Sequence, residues 1–491
     1  MATLLARLNA ALYHRRVGPS LVAALGLVYA CAYLNHPLFP GTGEPALTRG
    51  WWTWTDQQRY LAEATAIAEA RLDAATFHYP IGYPALGALF CSWLPANPFF
   101  IPDLLLVLAA SFAWWRLAQR WLSRGEALAV GLAFIATHRW LIVYTQIVPW
   151  NTLATQAALL VGVWLAIAQT GPRRLWTLAG LASSSYLVRP IDAVAFTPLL
   201  VFAVMRLDDW RARLTHGIGG GAVIAMAVIG AGLINHGVFD AWRSPYEVVS
   251  AQAVGFFSYP ISYKLYWLFV DGGTFFGEVE PALLFRYPWL VLALPGVIFW
   301  VRREGLAGAA GAAALGLNWL FYVNYNDLLP SDVYRFTLIH YLAWGFPLLF
   351  LLAVAACRHG WRDWWVRAGG AAAVALGVLA IGLRLEENPL RVERTEAGWR
   401  MPAERPLLIR FPNASAENVA ELRVDGRALV EYSEYLVPYV SSDLQLLLGT
   451  RTAGTQLSVA PGSPLANAEP QVGHYVWCWR PALQRLRAVC R

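Results

Sequence analysis

The sequence predicts an α-helical polytopic membrane protein carrying a small, mainly β domain at its C-terminal end. Three observations carry this reading. Hydrophobic residues make up 57% of the 491 and charged residues only 14%, against roughly 25% charge in an average soluble chain. The mean hydropathy is +0.44. The 24 tryptophans and 21 tyrosines match the aromatic belts found where spanning helices meet water.

A spanning helix needs roughly 20 mostly apolar residues. Such segments lie near 17–35, 99–117, 127–145, 152–170, 217–235, 287–301, 305–323, 336–356 and 367–384. A shorter pair at 175–188 and 191–205 brings the expectation to about eleven transmembrane helices. Arg7, Arg15 and Arg16 precede the first span without a small-residue cleavage site, so this span reads as a retained anchor. Arginines orient the map. Arg116, Arg120 and Arg124; Arg173 and Arg174; Arg206, Arg211 and Arg213; Arg302 and Arg303; and Arg358, Arg362 and Arg367 fall in alternate turns. The positive-inside rule assigns those turns to the cytoplasm. The expected location is therefore a bacterial inner membrane, with a cytoplasmic N-terminus and a periplasmic C-terminal domain. The net charge of +7 reads as cytoplasmic anchoring, and a nucleic-acid footprint is not expected.

Two outside loops, about 36–98 and about 235–287, are long enough to suggest function. In the first, Leu61, Ala64, Ile67, Ala68 and Leu72 form one apolar stripe, which predicts a helix over 56–73 with Thr55 as its N-cap. The segment 82–94 is too short to cross and reads as a helix lying at the interface. The second loop is rich in aromatics, among them Phe256, Tyr259, Tyr263, Tyr266 and Trp267. From 385 onward charge rises and alternating runs appear, such as Leu407-Leu408-Ile409-Arg410-Phe411, with a hairpin signal at Asp425-Gly426. The chain thus divides into a transmembrane part, 1–384, and an outside domain, 385–491. Cys31, Cys91 and Cys357 sit in or near apolar segments and read as inert, buried thiols. A disulfide between Cys478 and Cys490 suits an oxidising compartment.

The most distinctive polar stretch is Asp56-Gln57-Gln58-Arg59-Tyr60, followed by His78-Tyr79-Pro80-Ile81-Gly82-Tyr83-Pro84. A carboxylate, an arginine and an aromatic within one helical turn suit chemistry on an anionic lipid head group. In a helix, Asp56 and Arg59 at i and i+3 project from one face. Elsewhere, Arg189-Pro190-Ile191-Asp192 caps the short pair of segments. Each arm of about 14 residues reaches about 21 Å at 1.5 Å per residue, so the apex lies inside the membrane profile, where charges are costly and functional or paired. Lys264, the sole lysine, sits in the aromatic loop, and its compact ammonium suits a phosphate. Arg139 and Arg335 mark span ends, where anion binding and interfacial anchoring are both open. Asp271, Glu278, Asp327 and Asp332 are further outside acids. Asp208-Asp209 reads as charge-balanced surface.

An early acid in the first outside loop, then Arg59-Tyr60, then the Tyr-Pro run leading into an interfacial helix, resembles the GT-C superfamily of polytopic glycosyltransferases. The Asp-x-x-Arg-Tyr segment looks most like the aminoarabinose and protein-mannosyl transferase branches. Those branches usually carry an acid directly after the Asp, where this chain has Gln57. The resemblance concerns the arrangement of residues 1–384. It implies transfer of a monosaccharide from a polyprenyl-phosphate donor (undecaprenyl phosphate in a bacterial cell envelope) to an acceptor hydroxyl at the outer membrane face, with inversion. Asp56 is the expected base. Arg59, Tyr60, His78, Tyr79, Arg139, Arg189, Lys264 and Arg335 are the expected donor-phosphate and substrate contacts. The acceptor would be a glycan, glycolipid or protein, and neither a cofactor nor a metal is expected. The alternatives are a lipid-linked glycan flippase or transporter, and a polysaccharide polymerase or ligase.

Overall fold

Long apolar runs satisfy their own backbone groups only as helices, and most of the chain up to residue 382 is helical in the computed structural model. The described residues are 17–34, 51–53, 55–256, 259–272, 282–326, 340–396, 398–401, 406–412, 414, 416–429, 435–436, 444–449, 453–460, 463, 465 and 468–479. They form two compact units. One comprises Met1–Glu247, Pro295–Trp319 and His340–Arg367, the other Val248–Leu294, Leu320–Ile339 and Ala368–Arg491.

In the first unit, α1 (Val17–Leu34) is followed by α2 (Thr55–Ala68) and α3 (Gly82–Ala88) of the first loop. Then come α4 (Phe100–Ala118), α5 (Arg124–Thr137), α6 (Asn151–Ala168), α7 (Gly171–Val188), α8 (Thr197–Met205) and α9 (Trp210–Phe239). α6 is the central helix, packing against α4 and α7 with most of its residues buried. α2 packs on α3. α3 in turn meets the end of α7 through Gly82, where a Cβ would lie 2.6 Å from the Leu187 carbonyl oxygen. Only glycine permits that approach, and it brings the first loop onto the Arg189 corner. An aromatic core of Tyr29, Tyr33, Trp51, Trp52, Tyr60, Tyr79, Tyr83, Phe99 and Trp150 fills the space beneath the loop.

Among the described residues, five helices are long and apolar enough to cross a bilayer: Phe100–Ala118, Asn151–Ala168, Trp210–Phe239, Leu306–Asn324 and Tyr341–Arg362. Leu21–Leu34, Pro190–Met205 and Trp364–Leu379 are apolar but shorter. The described residues therefore have membrane-protein character, and five full-length spans lie among them, so the eleven expected are shown only in part. Some of the expected segments are interrupted locally. The 127–145 segment breaks at His138, after which come the single turn Arg139–Ile142 and a π-helix, Val143–Ile147. The 287–301 segment opens with the 3-10 turn Pro288–Leu292. The 175–205 pair is an 18-residue α7, a 3-10 stretch Pro190–Phe196 and the nine-residue α8.

The second unit contains α10 (Ile261–Phe269) and a β domain with ten strands among the described residues. The order in one sheet is β1 (Leu383–Leu390), β10 (Gln471–Trp479), β4 (Leu407–Phe411), β8 (Leu444–Leu448), β7 (Tyr435–Leu436). In the other it is β2 (Glu393–Thr395), β3 (Gly398–Arg400), β9 (Gln456–Val459), β5 (Leu422–Val424), β6 (Arg427–Ala428). All pairings are antiparallel. Leu407, Ile409 and Phe411 alternate into one core with Trp399, Leu422, Val424, Leu444, Leu446, Leu448 and Leu457, as a two-residue side-chain period requires. The expected hairpin is present: Asp425 and Gly426, at φ 47° and 78°, join β5 to β6 with the two left-handed residues of a tight turn. Cys478 is disulfide-bonded, while its expected partner Cys490 lies outside the described residues. Cys31, Cys91 and Cys357 are free thiols, with Cys31 and Cys357 exposed and Cys91 partly so.

Candidate functional site

The first-loop helix α2 supplies the candidate site's central carboxylate. Asp56 is half-buried and both its oxygens are engaged. The Tyr79 hydroxyl donates to Oδ1 at 2.6 Å and the Trp150 indole N–H reaches Oδ2 at 3.4 Å. Two turns further along the same face lies Glu63, with no exposed surface. Its Oε1 accepts from the backbone N–H groups of His78 and Tyr79 at 2.8 and 3.0 Å. Tyr60 sits between the two acids, its ring centroid 4.6 Å from that of Tyr79. Tyr79 is thus held by α2 at its amide, its ring and its hydroxyl. On its other side the Tyr246 ring lies 4.9 Å away, and the Tyr246 N–H donates to the His78 carbonyl at 3.1 Å.

Electrostatics follow from this burial. Desolvation pushes the Tyr79 phenol far above its ordinary range, with Tyr60 and Asp56 adding to the effect, so it stays a neutral donor. Tyr60 is raised too, chiefly by burial. Asp56, Tyr246 and Glu63 push in the same direction and Arg189 opposes them. Those four groups therefore all project their fields onto one phenol. Burial lifts the Glu63 carboxyl to about 7, against the two backbone N–H groups and Arg59, which favour its charge.

Asp56 and Arg59 stand at i and i+3 of one helix but differ in burial. The inward strip of α2 is taken by Gln57, Tyr60, Glu63 and Ala64, all buried, while Arg59 is exposed. Arg59 instead lines a cleft of about 460 Å³ with Gln58, Ala62, Thr76, Phe77, His78 and Pro245. The half-buried His78 bridges the two regions. Desolvation and Arg59 lower its pKa and Asp56 opposes them, so the imidazole lies within reach of both charges. Gln57, where an acid was to be expected from the resemblance, is fully buried and donates to the Pro149 carbonyl at 3.2 Å.

Arg189, at the C-terminus of α7, is only 3% exposed. Asp192 Oδ2 lies 3.7 Å from its Nε, and the guanidinium stands 4.8 Å over the Tyr341 ring. Asp192 also accepts from Thr155 Oγ1 at 2.7 Å and Asn318 Nδ2 at 3.3 Å, and Asn318 Oδ1 accepts from Trp344 Nε1 at 2.8 Å. This network joins α6, the Pro190–Phe196 turn, the helix Leu306–Asn324 and the Tyr341–Arg362 span.

The remaining candidates are not all brought to this site. Lys264 is fully buried in the second unit, and its ammonium is directed to the Asn324 carbonyl at 3.1 Å, Asn326 Oδ1 at 3.1 Å and the Tyr325 carbonyl at 3.4 Å. A group so enclosed caps a helix end. Arg139 is exposed and opens the short helix after the break at His138. Asp271 accepts from the Tyr266 hydroxyl at 3.5 Å. Asp209 is the N-cap of α9, accepting from the Ala212 N–H at 2.7 Å. Arg335, Glu278, Asp327 and Asp332 lie outside the described residues. No cluster of three or more His, Cys, Asp or Glu side chains is placed to hold a metal among the described residues.

Sequence reasoning passed over Glu63, Trp150, Tyr246, Thr155 and Asn318. Only Glu63 carried a local signal, standing seven residues after Asp56 and hence on its face. No family model, curated protein or solved structure matches the chain.

Proposed function

We propose that the chain is an integral-membrane glycosyltransferase of the GT-C kind, moving a monosaccharide from a polyprenyl-phosphate donor to an acceptor hydroxyl with inversion. The observation that carries this reading is Asp56, half-buried, oriented by Tyr79 and Trp150 and within electrostatic reach of His78, which lines a cleft with Arg59. A base must face the acceptor and cations must face the leaving phosphate. The acceptor oxygen attacks the anomeric carbon while Asp56 takes its proton. The bond from that carbon to the phosphate oxygen breaks, and polyprenyl phosphate leaves with the electron pair. Arg59 contacts the phosphate in the cleft, and the buried Arg189 adds positive potential from below. Tyr79 and Trp150 keep the carboxylate aimed, so little reorganisation is needed at the moment of attack. The disulfide at Cys478 suits an oxidising, periplasmic compartment for the β domain.

The test supplies labelled polyprenyl-phosphate sugars to membranes containing the chain or its Asp56→Asn variant. Transfer by the parent and a loss of about 10²–10⁴-fold in the variant is the expected result. Unchanged turnover removes Asp56 from the mechanism. Movement of labelled lipid across the bilayer without sugar transfer replaces the enzyme with a flippase.

A further inference from the structure

Glu63 has no role in the transfer step described above, yet it is the most deeply buried carboxyl of the first loop. Its Oε1 receives two consecutive backbone N–H groups, those of His78 and Tyr79. Its Oε2 is buried with no hydrogen-bond partner among the described residues. Tyr79 then spans back along the same helix to donate to Asp56. The two acids of α2 therefore grip the two ends of one tyrosine, with Tyr60 packed against its ring. The neighbouring carbonyl of His78 is fixed from the opposite side by Tyr246. A carboxylate that accepts two amides binds them more strongly when ionised than when protonated. Hence the grip at the amide end depends on the charge of Glu63.

We propose that Glu63 is a positioning residue, a carboxylate clamp on the His78–Tyr79 segment that sets the Tyr79 hydroxyl against Asp56 and makes the site pH-responsive. The consequence for catalysis rests on the glycosyltransferase reading, whereas the clamp itself does not. The charged and titratable groups around the clamp are Arg59, Asp56 and Tyr60 on α2, His78 and Tyr79 on the clamped segment, and Tyr246 beside it. Arg59 favours the ionised form. Burial holds the Glu63 carboxyl near neutrality, at about 7, which places the change within the range of ordinary assays. The two amides and Arg59 return only part of what burial costs the anion, so the closed clamp holds its proton more tightly than a solvated carboxyl would; it is firmest below that pH and loosens above it. His78 titrates on the acid side of its ordinary value, so its own change falls lower.

Hydrogen–deuterium exchange of the full chain in detergent tests the clamp without any substrate. The reporter is a peptide covering 77–80, in which Pro80 contributes no amide hydrogen. After correction for intrinsic exchange, protection of the His78 and Tyr79 amides should decrease several-fold between pH 6 and 8. In Glu63→Gln, whose amide oxygen still accepts both bonds, the segment should stay folded and lose that pH dependence. In the same preparations, sugar transfer by the parent should show kcat falling through neutral pH, with KM little changed and the inflection absent from Glu63→Gln. Equal protection at both pH values in the parent, or the same dependence in Glu63→Gln, overturns the clamp. A pH-dependent clamp in a chain that transfers no sugar upholds the clamp and overturns the enzyme reading.

Discussion

The Tyr79 hydroxyl and the Asp56 carboxylate, separated by 23 residues, meet at 2.6 Å, with the phenol kept neutral by burial. The phenol donates and the carboxylate accepts. A neutral, buried donor orients a carboxylate without cancelling its charge, which is what the proposed role of Asp56 as a base requires.

Tyr79→Phe removes that donor while keeping the ring contacts with Tyr60 and Tyr246. A hydrogen bond to a charged group contributes about 1.5–3 kcal/mol, so a drop of that order in unfolding free energy is expected. A fall of about tenfold in kcat, equivalent to roughly 1.4 kcal/mol, should accompany it, with KM nearly unchanged. Chemical denaturation and steady-state kinetics on the same preparation read both.

Arg59→Ala should act differently. Arg59 is exposed and lines the cleft, so its loss should leave stability almost untouched. The KM for a polyprenyl-phosphate donor should rise by about tenfold, since a contact made equally in ground and transition states alters KM and not kcat. Added salt should weaken donor binding in the parent more than in the variant, because exposed charges are screened.

Removing Asp192 should be costly. It faces the buried Arg189 and also accepts from Thr155 and Asn318. Breaking a buried ion pair by deleting one partner costs about 3–5 kcal/mol, so Asp192→Leu should reduce the folded yield sharply. Asp192→Asn keeps acceptor and donor atoms and should retain the fold while lowering activity. Thermal unfolding and size-exclusion profiles in detergent distinguish the two.

Lys264→Met strips the donors from the carbonyls at Asn324 and Tyr325 and from Asn326 Oδ1. Buried acceptors left without partners cost about 1–3 kcal/mol. Burial lowers the Lys264 pKa to about 7, whereas an unfolded lysine titrates near ~10.4. Between those values the unfolded chain holds the extra proton, so this residue's contribution to stability grows as pH rises from about 7 to about 10. The parent-minus-variant difference in unfolding free energy should increase over that window; a difference independent of pH would count against a depressed pKa.

Much of the local structure was legible in advance. The apolar stripe of Leu61, Ala64 and Ile67 predicted α2, which runs from Thr55 to Ala68 rather than on to residue 73. It stops early because Ala70 turns to a positive φ of 55°. Asp425-Gly426 predicted the β5–β6 turn correctly, since two left-handed residues are needed there and few sequences supply them. The span count was less legible. Hydropathy measures apolar content, and it does not register where His138 or Pro288 interrupts a helix.

The sequence by itself determined the membrane character of the chain, the helix that carries Asp56 and the change to β structure after residue 382. These depend on composition and on periods of two or 3.6 residues, all local properties. Tertiary structure alone decided that Arg59 turns to the cleft, that Lys264 is enclosed at a helix end, and that Glu63 and Asp56 hold Tyr79 between them. A helical period says which residues share a face. Which distant residues meet that face depends on packing, here set by close contacts such as Gly82 on Leu187 and by the aromatic core beneath the loop.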